Sequence, residues 1–166
     1  ASSPDGSLVA VISRMAELDR PEAPPRSELT LIDALAGTVA RRVLLDSCHM
    51  AEGVAFTADG TRVLVPALRV RNLLPILQVA RGWVMSSVLA VVRVDSGEVA
   101  YLPLNDPGAC FPDPAGIALS PDGARAYLAS GGADQLAVLD LPALLREEAS
   151  ASAGAPERLS RTRSYL

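Results

Sequence analysis

Lysine is absent from this 166-residue chain, and all 15 basic residues are arginine. With alanine so abundant, that pattern reads as the coding bias of a GC-rich genome, so an isolated arginine carries little functional weight. Histidine occurs once, at His49, and aromatics make up only 4%. One histidine with only Asp46 and Glu52 near it falls short of the three or four donors a metal site needs. No apolar run reaches the ~18 to 20 residues of a membrane helix, because charge or proline interrupts each one. The net charge of −4 gives no reason to expect nucleic acid. The two cysteines, Cys48 and Cys110, make no C-x-x-C pair and no zinc pattern. Cys48-His49 are adjacent, as in a haem-attachment run, but before Asp46-Ser47 it is Leu45 that stands where a second cysteine would be required. The chain therefore attaches no c-type haem of its own. What is present is apolar: 49% apolar against 20% charged residues supports a packed core and excludes wholesale disorder.

A motif recurs three times: Ser3-Pro4-Asp5-Gly6, Thr57-Ala58-Asp59-Gly60 and Ser120-Pro121-Asp122-Gly123. Asp caps a tight turn and Gly accepts positive φ, so each reads as a hairpin between apolar strands. Gly53-Val54-Ala55-Phe56-Thr57 parallels Gly116-Ile117-Ala118-Leu119-Ser120. Small residues on one side and large apolar ones on the other suit a strand at a crowded centre. Apolar strands follow each turn, over Leu8 to Ile12, Arg62 to Val65 and Arg125 to Ala129. Further strands end in aspartate, over Leu29 to Asp33, Val88 to Asp95 and Leu136 to Asp140. Their nearly continuous apolar character predicts burial on both faces. Fourth strands are expected at Thr38 to Leu45 and Glu98 to Leu104. The aspartates Asp33, Asp95 and Asp140 are expected to form turns at equivalent places.

The length variation lies between the second and third strands of each unit. A four-stranded unit repeating at up to ~60 residues is a propeller blade. The chain is thus expected to be all-β, a partial β-propeller of about 2.75 four-stranded antiparallel blades in an incomplete ring. Blade 1 spans about 3–50, blade 2 about 51–113, and blade 3 begins at 114. The propeller occupies 3–141. Residues 142–166 are expected to hold a short helix at Leu144 to Glu148, a low-complexity stretch and a truncated last strand. Since the chain opens almost inside a turn, it reads as a fragment whose ring is completed by the remaining blades of a parent chain.

The Gly-Val-Ala-Phe-Thr-Ala-Asp-Gly and Gly-Ile-Ala-Leu-Ser-Pro-Asp-Gly forms resemble the YVTN-type bacterial β-propeller repeat, over roughly residues 3 to 141. Leu77-Gln78-Val79-Ala80-Arg81-Gly82-Trp83-Val84, followed by Val88-Leu89-Ala90-Val91-Val92, resembles a segment of propellers carried beside di-haem cytochrome c peroxidase-like domains. The resemblance implies haem in a flanking domain rather than in this chain, a c-type cytochrome domain as partner, and an extracytoplasmic (periplasmic or cell-surface) location. Ala58, in place of proline in the second turn, departs from the repeat, and the first turn lacks its leading strand.

Propeller topology gathers candidate functional residues on one rim. Cys48, His49 and Cys110 fall in connections between blades, and the loops Arg14 to Glu28 and Pro66 to Ser87 join them there. The Pro66 to Ser87 loop carries Arg69, Arg71, Arg81 and the sole tryptophan, Trp83. It is read as a lid over its own propeller, an anchor for another domain, or part of a ligand pocket; Trp and Arg favour interfaces. A Cys48–Cys110 disulfide is an open alternative to two free thiols. No catalytic cluster is visible. The sequence favours a non-enzymatic scaffold whose rim loops dock a neighbouring domain. The alternative is a lactonase-like or redox enzyme, or a small-molecule site, at a funnel around His49.

Overall fold

The computed structural model describes residues 1–14, 26–70, 85–105, 110–151 and 163–165. Within them the three Asp-Gly segments fold alike. In each, the leading hydroxyl donates to the aspartate: Ser3 Oγ to Asp5 Oδ1 at 2.6 Å, Thr57 Oγ1 to Asp59 Oδ1 at 2.6 Å and Ser120 Oγ to Asp122 Oδ1 at 2.5 Å. The same hydroxyl accepts from the amide of Leu8, Arg62 or Arg125 at 2.9, 3.1 and 2.8 Å. Gly6, Gly60 and Gly123 then close the turns at φ of 73, 70 and 69°, which glycine adopts without a steric penalty. The turns also nest. A Cβ on Gly60 would stand 3.5 Å from Pro4 Cδ, and one on Gly123 would stand 3.3 Å from Ala58 Cβ.

Three antiparallel sheets follow from these hairpins. The first runs β1 (Leu8–Ile12), β2 (Arg26–Asp33), β3 (Thr38–Asp46). The second holds β4 (Cys48–His49), β5 (Ala55–Phe56), β6 (Arg62–Val70), β7 (Met85–Arg93) and β8 (Val99–Pro103), with β4 and β5 both on the β6 edge. The third runs β9 (Pro114–Leu119), β10 (Arg125–Ser130), β11 (Leu136–Asp140), β12 (Arg163–Tyr165). A helix, α1 (Leu141–Ala151), starts directly after β11. The Ala143 amide donates to Asp140 Oδ1 at 2.8 Å, so that aspartate caps it.

Side-chain alternation divides each sheet between two neighbours. Ala10, Leu29, Leu31, Val43 and Leu45 of the first sheet pack against Val63, Val65, Ala67, Val88, Ala90 and Val92 of the second. The opposite face of the second sheet, with Leu64, Leu89, Val91 and Leu102, packs against Ala126, Leu128, Ala137 and Leu139 of the third. Leu141 and Leu144 of α1 are buried in that second core. These are successive blades of a partial β-propeller, as the repeat predicts. The large apolar residues of the innermost strands face the preceding blade: Val54 and Phe56 join the first core, and Ile117 and Leu119 the second.

Several boundaries move. The second blade begins at Cys48 rather than 51, because Ser47 turns the chain at φ 59° and returns Cys48-His49 to the β6 edge. The innermost strand is therefore split into β4 and β5. The expected Pro66 to Ser87 loop is strand through Val70 and again from Met85. Proline is tolerated at Pro66 because its missing amide hydrogen points at the gap between β4 and β5. Arg62 and Val70 bond toward that edge (Thr57 N to Arg62 O, 3.0 Å; Val70 N to Ser47 O, 2.8 Å), and Pro66 shares their parity. Likewise β2 begins at Arg26, inside the expected loop from Arg14. Asp33 and Asp140 pair with Leu8 and Arg125, but Arg93, not Asp95, pairs with Arg62. Asp95 thus sits two residues into its turn. The first blade retains a trace of its leading strand, a bridge from Ser2 to Val9. The third blade has a fourth strand, since β12 pairs with β11 through three residues.

Candidate functional site

The rim opposite the Asp-Gly turns is organised by the extended β6. Cys48 pairs with Arg69 and His49 with Leu68, so three of the candidate residues are brought together on one short ladder. Ser27 Oγ of the first blade donates to the Cys48 carbonyl at 3.2 Å, tying the two blades at this end. Arg69 occupies the face that Val63, Val65 and Ala67 occupy lower down β6. Its guanidinium reaches across β7 to stack over Tyr101 of β8, with Cζ 4.3 Å from the ring centroid. Within the first sheet, the cross-strand partners Arg26 and Asp46 stand 3.5 Å apart, Nε to Oδ1, at the same end.

The electrostatics follow from burial. Desolvation pushes the Cys48 thiol up to about 12, although the Arg69 charge pulls the other way. Burial, with the neighbouring Cys48, also raises the Tyr101 phenol, against the opposing Arg69 charge. His49 is half-buried, and desolvation lowers its pKa, favouring neutral imidazole. Cys48 is thus a protonated thiol in a packed seam with a cationic cap, rather than an activated nucleophile.

Nearer the axis, a shallow cleft of about 190 Å³ lies between the second and third blades, lined by Met50, Glu52, Asp113, Pro114, Ala115 and Gly131. Met50 and Asp113 both have left-handed backbone, at φ 54 and 47°, and both stand three residues before the glycine of an innermost strand, Gly53 and Gly116. The cleft is smaller than the ~300 Å³ at which small-molecule sites begin. Glu52 is held by Arg14, Nη2 to Oε1 at 2.6 Å. Among the described residues, no group of three or more His, Cys, Asp and Glu converges to hold a metal ion. Among the same residues, no helix is long and apolar enough to cross a membrane.

The structure does not bring Cys110 to Cys48. Both are free thiols, Cys48 inside the first inter-blade core and Cys110 exposed, so the pairing considered from sequence is absent. Arg69 belongs to a strand rather than a loop. Arg71, Arg81 and Trp83 lie outside the described residues. Tyr101 was not a sequence candidate. Its signal was alternation in β8, which places it on the face of Val99 and toward Arg69.

Three stacked antiparallel sheets, a split innermost strand and a rim of inter-blade connections define a segment of a β-propeller. No family model matches the chain. It is similar to the hydrazine synthase beta subunit of Kuenenia stuttgartiensis, at 29% identity over 146 residues, covering 86% of this chain and 36% of that protein. The solved structure of Kuenenia stuttgartiensis hydrazine synthase matches with a TM-score of 0.77 and 26% identity, over 90% of this chain and 41% of that one. A putative 6-phosphogluconolactonase from Bacteroides uniformis matches at 0.52 with 13% identity, over 84% of this chain and 34% of its own, a likeness of fold alone. The chain thus spans little more than a third of the curated relative it matches.

Proposed function

We propose that this chain is part of a non-enzymatic propeller subunit that docks a neighbouring domain of a multi-subunit assembly on its Cys48–Arg69 rim. The similarity to a protein named as a hydrazine synthase subunit carries this reading. The rim geometry supports it. The ladder of Cys48-His49 on β6 presents Arg69, and residues 71–84, next in the sequence, include Arg71, Arg81 and Trp83. Arginine and tryptophan are common interface anchors. A c-type cytochrome domain is the partner suggested by the resemblance of Leu77 to Val84 and Val88 to Val92 to propellers carried beside di-haem peroxidase-like domains, and an extracytoplasmic location, suggested by the YVTN-type repeat, belongs to the same proposal.

The test is co-purification of the native assembly. Arg81→Ala with Trp83→Ala should weaken association by roughly 2 kcal/mol or more, the scale of interface anchors, while the variant subunit stays folded. Undiminished association overturns the proposal. The fold-level likeness to a lactonase leaves an enzyme reading around His49. Turnover that is found and is then lost in His49→Ala would favour that alternative.

A further inference from the structure

The cleft between the second and third blades plays no part in rim docking, yet its lining is unusual. It combines two carboxylates, Glu52 and Asp113, with the apolar side chains of Met50, Pro114 and Ala115. Among the described residues, four that are not glycine have left-handed backbone, Ser47, Met50, Asp113 and Asp134, and two of them line this cleft. That conformation is uncommon for aspartate and an outlier for a side chain as bulky as methionine. Residues held in it gather at ligand clamps.

Asp113 is fixed by the third blade. The Gly131 amide donates to its carbonyl at 2.8 Å, and Ser130 Oγ donates to the carbonyl of Pro112. A Cβ on Gly132 would stand 2.9 Å from Asp113 Oδ2, so glycine there leaves room for the carboxylate. Among the described residues, no ion pair or hydrogen bond meets that carboxylate. Glu52 has already taken a cation, since Arg14 of the first blade reaches it, Nη2 to Oε1 at 2.6 Å. Two negative charges thus stand against the single positive charge of Arg14, and one further cation balances them.

The kind of cation follows from the walls. Two carboxylates fall short of the three or four donors a metal site needs, and no third joins them among the described residues. An ammonium is compact and strongly hydrated, and the apolar wall would strip its water. A guanidinium is planar and weakly hydrated; its edge pairs with carboxylates while its face rests on apolar side chains. The volume of about 190 Å³ admits one such group rather than a cofactor. Arg14 on Glu52 is the same pairing beside the same cleft.

We propose that the Met50–Glu52–Asp113–Ala115 cleft binds one guanidinium group, held by Asp113 with Glu52 and resting on Met50 and Pro114. The group is carried on an arginine of a partner protein or on a small free guanidine. The inference does not depend on docking at the Cys48–Arg69 rim.

The experiment uses the intact native polypeptide with isotope-labelled methionine methyl groups, the Met50 signal being assigned by its loss in Met50→Leu. Titration with ethylguanidinium chloride should shift that signal saturably, and tetramethylammonium chloride at equal ionic strength should not. Asparagine adopts left-handed backbone readily, so Asp113→Asn should stay folded. It should weaken binding by roughly threefold to fivefold, the scale of one partly exposed ion pair. Asp134→Asn, on the same rim but outside the cleft, should leave binding unchanged. A shift no larger than the ammonium salt gives, or equal affinity in Asp113→Asn, overturns the proposal. In the native assembly, a Met50 signal already shifted and unresponsive to added ethylguanidinium assigns an arginine of the partner. One that still responds assigns a free guanidine. Failure of rim docking would leave the titration unchanged.

Discussion

Arg69 and Tyr101 meet across an intervening strand, with the guanidinium carbon 4.3 Å from the ring centroid. The pair closes the rim end of the first inter-blade core, above Ala67 and Val65. Arg69→Ala should cost about 1 kcal/mol, the scale of a partly desolvated cation–π contact, and Tyr101→Phe should preserve the stacking. A double-mutant cycle by urea unfolding measures the coupling; zero coupling between Arg69→Ala and Tyr101→Ala would show that the stacking contributes nothing.

Gly53→Ala tests the closeness of adjacent innermost strands. The added methyl would lie 3.1 Å from two backbone atoms of the third blade. Overpacking of this kind costs about 1 to 3 kcal/mol. Thermal unfolding should show a clear fall in Tm, larger than that of Thr38→Ala on the exposed start of β3.

The turn aspartates set an acid limit. Hydrogen bonds from Ser3, then from the Ser7 amide and hydroxyl, hold Asp5 down to about 2 from an ordinary 3.8. Asp122 is lowered chiefly by Ser120, and Asp95 by the Ser96 amide. Partial burial works against Asp59, yet bonds from Thr57 and Thr61 still bring it down. Groups depressed in the folded state contribute stability that is complete above the unfolded pKa and lost as pH falls through the folded one. Stability should therefore be level above about pH 5 and fall between about pH 4 and 2. Asp59→Asn should flatten that fall in a pH series of urea midpoints.

The two thiols should differ sharply in reactivity. Cys48 is fully buried and pushed up to about 12, whereas Cys110 is exposed. Thiolate is the reactive form, so iodoacetamide at neutral pH should modify the Cys110 peptide and spare the Cys48 peptide until the protein unfolds. Mass analysis of the digested protein reads this directly; equal modification in the native state would contradict the buried placement.

The hairpins were legible because their information is local. Ser or Thr, Asp and Gly at fixed offsets determine a turn through side-chain bonds within five residues, and Leu136 to Asp140 is strand with the bounds read from its pattern. The rim was less legible because its order is set by partners distant in sequence. Cys48-His49 has no strand pattern of its own and is a strand only because Ser47 redirects it onto Arg69 and Leu68. Pro66 looked like a strand terminator, and only the gap in the neighbouring edge makes it harmless. Tyr101 went unnoticed since nothing in β8 alone reveals that an arginine crosses β7 to reach it. The cysteines looked alike by spacing, yet one faces a core and the other solvent.

The nesting of Pro4 against Gly60, and of Ala58 against Gly123, fixes the pitch between neighbouring units at one end of the wheel. Insertions gather at the far end, where they leave that pitch unchanged. A gene encoding such units can therefore duplicate one, or lengthen a loop to suit a new companion, without refitting the angular step that brings the ring round to its start.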